Sequence, residues 1–144
     1  MGEEGFAVYL LSVDTPPSKI AALSHLKLAS EPLIAMEDVI SYSGTDHEIE
    51  LTASAYDRLR RIGVPVWGKV FVVCVNRQPV YSGAFWAIYS SQSFDGVIIL
   101  TPLPPGKNAI RIELGYPGAG FFKGEDPRSD GAILESLRKA GKLK

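Results

Sequence analysis

Two histidines, His25 and His47, one cysteine, Cys74, and the serines Ser90, Ser91 and Ser93 are the residues whose chemistry comes first into view. Asp46-His47-Glu48 places an imidazole between two carboxylates. A metal ion would need those groups to converge, and successive strand residues point to opposite faces. The spacing predicts polar turn residues and no metal site. Glu37-Asp38 is read the same way, as acidic residues favoured by a helix start. A serine nucleophile would need an imidazole within reach, and Ser91 with His47 is the pairing to consider. There is no G-x-S-x-G elbow, because Tyr81-Ser82-Gly83 lacks the preceding glycine. Paired carboxylates remain a second enzymatic option, since such pairing is spatial. Gly115–Gly120 has glycines at intervals but no Gly-Lys-Ser/Thr, so it matches no phosphate loop. Cys74 stands among valines, the setting of a buried small hydrophobe and not of a reactive thiolate. No cofactor is implied by any of these motifs.

The 144 residues suit one domain with a single core. A hydrophobic share of 46% with 22% charged residues is a globular composition. A formal charge of −1 offers no electrostatic footprint for nucleic acid. No apolar run approaches the ~20 residues of a transmembrane helix, so no membrane span is expected. One cysteine excludes an intrachain disulfide framework. Phe6–Val13 lacks a basic flank and is too short for a signal peptide.

These residues must be positioned by elements legible from periodicity. Phe6–Val13 predicts a core strand. Asp14 or Thr15 would cap a short helix with Ile20, Leu23 and Leu26 inward. Met36–Ile40 suggests one helical turn. Val39–Ser43 and His47–Leu51 predict a hairpin around Gly44-Thr45-Asp46, with Gly and Asp in left-handed conformations. Ile49 and Leu51 face inward with His47 at their parity. Thr52 would cap a helix over 53–62, with Ala55, Tyr56, Leu59 and Ile62 as its buried stripe and Gly63 just past its end. Val70–Val75 is apolar throughout, as a central strand covered on both faces, or on one face and its rim, would be. Asn76-Arg77-Gln78-Pro79 predicts a turn, and Val80–Tyr89 the return strand. Gly96–Thr101 and Asn108–Leu114 predict two further strands. Residues 115–129 suggest a wrap, and Asp130 the cap of a last helix over 131–140, with Ile133, Leu134, Leu137 and Ala140 inward. The fold class expected is α+β: a mainly antiparallel sheet of about five to seven strands, with about three helices on one face.

Aromatic residues crowd between Trp67 and Phe94. In Val80–Tyr89, Trp86 falls on one face and Tyr81, Phe85 and Tyr89 on the other. If helices cover only one face, the rings on the other would form a binding surface. Tyr81, Phe85, Trp86 and Tyr89 are therefore the candidate binding residues.

Within 47–100, Ile49-Glu50-Leu51-Thr52, Ala55, Leu59, Gly68-Lys69, Val70–Val75 and Asn76–Val80 follow one another as strand, helix, apolar strand, turn and return strand. This order resembles the soluble extracytoplasmic domain of the SecD/SecF protein-export subunits. The turn here lacks that family's Asp-Gly pair, and residues 115–144 have no counterpart in it. The resemblance implies a SecD-like strand–helix–hairpin core and a prokaryotic envelope protein whose signal or anchor has been removed; without it, a cytoplasmic location is the expectation. Export activity is not carried over. The leading expectation is a non-enzymatic domain that binds a protein or peptide. Its rivals are a hydrolase or transferase using carboxylates or Ser91 with His47, and a structural or regulatory domain without a small ligand.

Overall fold

The computed structural model describes residues 4–20 and 25–144. Eight strands form two sheets: β1 (Phe6–Leu10), β2 (Val39–Tyr42), β3 (Glu48–Leu51), β4 (Lys69–Val75), β5 (Gln78–Ala87), β6 (Phe94–Thr101), β7 (Ala109–Arg111) and β8 (Glu113–Tyr116). The five-stranded sheet has the order β1-β4-β5-β6-β8, and the three-stranded sheet β2-β3-β7. Two α-helices, α1 (Ala53–Arg60) and α2 (Gly131–Lys139), complete the fold. The α+β class and the mainly antiparallel pairing hold, with one parallel pair, β5–β6. The helix number is two among the described residues, where about three were expected.

The helix expected after Asp14 runs through residues 21–24, which lie outside the described residues. Pro17–Lys19 makes a single 3₁₀ turn, and Ile20 is already extended at φ −72 and ψ 132. Leu23 lies outside the described residues. Ile20 and Leu26 still pack inward, with Leu11 and Leu28, against Ala7, Tyr9, Val70, Val72 and Cys74.

That packing covers one face of β1 and β4. On the other face Phe6, Val8, Phe71, Val73, Tyr81, Phe85, Val97 and Ile99 meet the three-stranded sheet and both helices in one core. The apolar run of β4 is thus sandwiched, the first of the two settings its sequence allows. Both helices feed the same core: Ala55, Tyr56 and Leu59 from α1, Ile133 and Leu137 from α2. Thr52 caps α1 by accepting from Ala55 N at 3.3 Å, and Asp130 caps α2 by accepting from Ala132 N at 2.9 Å. α1 ends with tightened bonds from Arg61 N to Arg58 O and from Ile62 N to Leu59 O, so Gly63 is not used as a left-handed cap. Gly141, at φ +74, does follow α2, while Ala140 stays exposed instead of facing inward.

Two predicted strands are recast by hydrogen bonding. Asn108–Leu114 divides at Ile112: β7 pairs with β3, and β8 pairs with β6. The hairpin β4–β5 turns on two residues, Asn76 and Arg77, both left-handed at φ 52 and 63. This tight turn lets β5 begin at Gln78. Residues 88–93 join the parallel pair β5–β6 and are shorter than the usual crossover. The link folds back where the Trp86 indole N–H donates to Gln92 O at 3.2 Å and the Phe94 ring stacks on Trp86 at 4.9 Å.

Candidate functional site

Alternation along β5 holds as far as Ala87 and decides the fate of the four candidate aromatics. Tyr81 and Phe85 enter the main core, where Phe85 meets Phe71 edge-on at 5.2 Å. Trp86 points the opposite way and is covered by Ala84, Ile98, Phe94, Leu100 and Tyr116. Gly68, at φ +88, lies flat against its ring: a Cβ there would stand 2.6 Å from the indole. Both faces of β5 are therefore covered. The sequence expectation of one bare face does not hold, because the β5–β6 link and β8 supply cover that periodicity within β5 cannot show. Tyr81, Phe85 and Trp86 are buried, and Tyr89 alone of the four is open to solvent, at 70% exposure.

Tyr89 is not isolated. It follows the end of β5 beside Ile88, which is 56% exposed, and across from Val66 and Trp67, which are 42% and 51% exposed. The Ser90 hydroxyl joins the two segments by donating to Val66 O at 2.8 Å, and it accepts from Gln92 N at 3.1 Å. The Tyr116 hydroxyl donates to Ile88 O at 2.6 Å and holds that end of the patch. Beside it, Tyr89 lines a cleft of about 120 Å³ with Leu59, Ile62, Val64, Pro102, Leu103 and Arg60. The Arg60 guanidinium is kept at the cleft edge by donating to Leu103 O at 3.2 Å. The result is an apolar surface of two aromatic and several aliphatic side chains on a hydrogen-bonded scaffold. Val66 and Ile88 were not singled out from sequence. The signal available was the aromatic cluster itself, but not which of its rings would be left outside.

His47 is buried, at the left-handed φ of 55. The expected left-handed residues of that loop were Gly and Asp; the structure gives the role to His47, whose N–H closes the turn on Ser43 O at 2.9 Å. Its Nδ1 lies 3.2 Å from the Tyr42 hydroxyl. Burial and the Arg128 guanidinium hold the imidazole below its ordinary pKa, while Asp126 and Asp46 oppose them. The Tyr42 hydroxyl is pushed up to about 12, mainly by burial. Arg128 donates to Asp126 through Nε and Nη2, at 2.9 and 2.8 Å, and to Ile112 O through Nη1 at 2.7 Å. That pairing holds the Asp126 carboxyl below the usual range.

Ser91, the proposed nucleophile, is exposed in the link that caps Trp86. His47 sits with Tyr42 in the core on the other face of the sheet. The structure does not bring Ser91 and His47 together, and Ser90 is occupied in holding the turn. Among the described residues no three His, Cys, Asp or Glu side chains converge as a metal set. Cys74 is buried, and its thiol is pushed up to about 11 by that burial. No described helix is long and apolar enough to cross a membrane. No family model, curated protein or solved structure matches the chain.

Proposed function

We propose that this chain is a non-enzymatic protein- or peptide-binding domain, and that Tyr89, Trp67, Ile88 and Val66 form its contact surface. The observation that carries the reading is their joint exposure on two segments tied by the Ser90–Val66 hydrogen bond. Aromatic side chains on a rigid scaffold give large contact area at low entropic cost, which is why they dominate binding hot spots. Tyr81, Phe85 and Trp86 act in this reading as the support beneath the surface and not as contacts. The adjoining cleft would accept a partner's apolar anchor between Tyr89 and Leu103. Placement at the cell envelope rests on the resemblance of residues 47–100 to the SecD/SecF extracytoplasmic domain.

Selection of a displayed random-peptide library against the wild-type chain tests the reading, with a Trp67→Ala/Tyr89→Ala variant as counter-target. Peptides carrying apolar anchors should enrich on the wild type and bind the variant at least about tenfold more weakly, the effect of losing a hot spot. Tyr89 is 70% exposed and Trp67 51%, so a melting curve run beside the selection should show the variant still folded, with a cooperative transition. No enrichment, or equal binding to both, would remove the proposal.

A further inference from the structure

The cleft beside Tyr89 has one charged wall. Arg60, in the last turn of α1, is the charged residue that lines it, and no carboxylate does so among the described residues. The other wall is the segment after β6, which side chains of α1 tie back to the helix. The Tyr56 hydroxyl donates to Pro104 O at 2.5 Å, and Arg60 Nε donates to Leu103 O at 3.2 Å. Both bonds run from the helix to a backbone carbonyl, so the two walls are held at a fixed separation. The space between them is about 120 Å³, room for one aliphatic side chain.

The bond to Leu103 uses the Nε edge of the Arg60 guanidinium. It leaves the far end of the fork without a close partner among the described residues. Nη1 stands 3.9 Å from Asp57 Oδ1, too far for a hydrogen bond. Asp57 is shared with Arg61, whose Nη2 is also 3.9 Å away, from Oδ2. Two guanidiniums therefore meet one exposed carboxylate. Arg58 is committed elsewhere: its Nη2 donates to Asp38 and to Leu33 O, both at 2.8 Å. A positive charge is left over at the end of α1, beside the cleft. The helix dipole alone favours basic residues in a last turn, but it gives no reason for one of them to be anchored across an apolar cleft. An arginine held by Nε keeps Nη1 and Nη2 side by side, a geometry that takes the two oxygens of a carboxylate.

We propose that the occupant of this cleft is a peptide with an apolar anchor next to an acidic side chain. The anchor enters between Tyr89 and Leu103, and its Asp or Glu neighbour is held by the Nη1–Nη2 end of Arg60. The proposal rests on reading Tyr89, Trp67, Ile88 and Val66 as a contact surface, and it adds the charge of the partner. The apolar patch supplies contact area and accepts many sequences. Arg60 selects among them, because a basic residue beside the anchor would face a cation and an acidic one would neutralise it. A seated anchor also displaces water from the lip of the cleft, where the ion pair then gains from a lower local dielectric. The chain as a whole bears a charge of −1, so attraction for an acidic partner belongs to this site and not to the molecule.

A displayed library of peptides with a fixed apolar anchor and a random residue on each side, selected on the wild-type chain, reads the preference directly. Enriched sequences should carry Asp or Glu beside the anchor. The strongest of them is then made with capped termini in Glu, Gln and Lys versions at that place, and binding is followed by fluorescence anisotropy. At low salt the Glu version should bind about fivefold more tightly than the Gln version, the upper range for a partly exposed ion pair, and the Lys version most weakly. Raising the salt from about 0.05 M to about 0.5 M should bring the Glu and Gln versions together, as screening of an exposed charge pair requires. Arg60→Gln should remove the preference, and Arg61→Gln should keep it. Enrichment without acidic neighbours, equal binding of the Glu and Gln versions, or a preference that survives Arg60→Gln overturns the proposal and leaves the contact surface standing. No enrichment of any anchor overturns both. Should Arg60→Gln not fold, the wild type decides: a Glu-to-Gln ratio that salt does not change overturns the proposal.

Discussion

Each side chain in this protein is disposed by its neighbours more than by its own chemistry. Gly83 shows this most sharply. A Cβ there would stand 2.6 Å from the Phe71 ring and 2.6 Å from Val97 O. The ring could turn, but Val97 O belongs to the β6 backbone paired with β5. Gly83→Ala should therefore lower stability by about 1–3 kcal/mol, the range for overpacking a close-packed site. Chemical denaturation with an unchanged slope would measure it; a cost near zero would mean that β5 and β6 can separate at this point. His47, the residue most suggestive of catalysis, is likewise absorbed by its setting. Its ring nitrogen lies against the Tyr42 hydroxyl, and the loop it occupies uses its left-handed backbone to turn.

Among the elements, α1 is the one whose place is legible from its residues. Its stripe of Ala55, Tyr56 and Leu59 is buried, and Asp57 and Arg61 are exposed. Leu59→Ala should cost about 2–5 kcal/mol, the cost of emptying a filled core position. A thermal or denaturant melt reads it, and a loss near zero would mean that the core collapses into the space. β5 behaves differently. Its alternation assigns Tyr81 and Phe85 to one side and Trp86 to the other, but says nothing about what lies above either side. The cover over Trp86 comes from Phe94 and Tyr116, on elements later in the chain. The surface proposed for binding begins where that cover ends, beyond Ala87.

At the scale of the whole molecule, two sheets share one core because a single stretch, 109–116, passes from one to the other. Its junction at Ile112 is also where the 122–130 segment is pinned, so sheet packing and the Arg128 anchor are coupled. The acid limb of stability should show this coupling. Arg128 holds the Asp126 carboxyl below its ordinary pKa, so the pair stabilises the fold above the unfolded carboxylate range. That contribution is lost as pH falls through the depressed value, where the folded form takes up the proton. Asp126→Asn should lower the denaturation midpoint at neutral pH and flatten its fall below about pH 4. A variant that retains the full wild-type fall in that range would assign the acid limb to other carboxylates.

Local patterning was enough for the α+β class, the two capped helices, the inward residues of β3 and α1, and the two-sided burial of β4. These follow from periods and capping contacts that span a few residues, and a linear sequence displays them directly. The third expected helix is represented among the described residues by a 3₁₀ turn at Pro17–Lys19 and an extended Ile20, while Ile20 and Leu26 pack inward. The candidate surface was settled by contacts outside the period of β5 itself. Whether Trp86 or Tyr89 is exposed depends on where residues 88–94 and 116 are laid down. Arg128, which shares the Ile112 backbone with the His47 loop, lies far along the chain from it. Periodicity shows which way a side chain points within its own strand. Only the tertiary fold shows what it meets there, because the covering group comes from another element, whose path the period of the strand does not set.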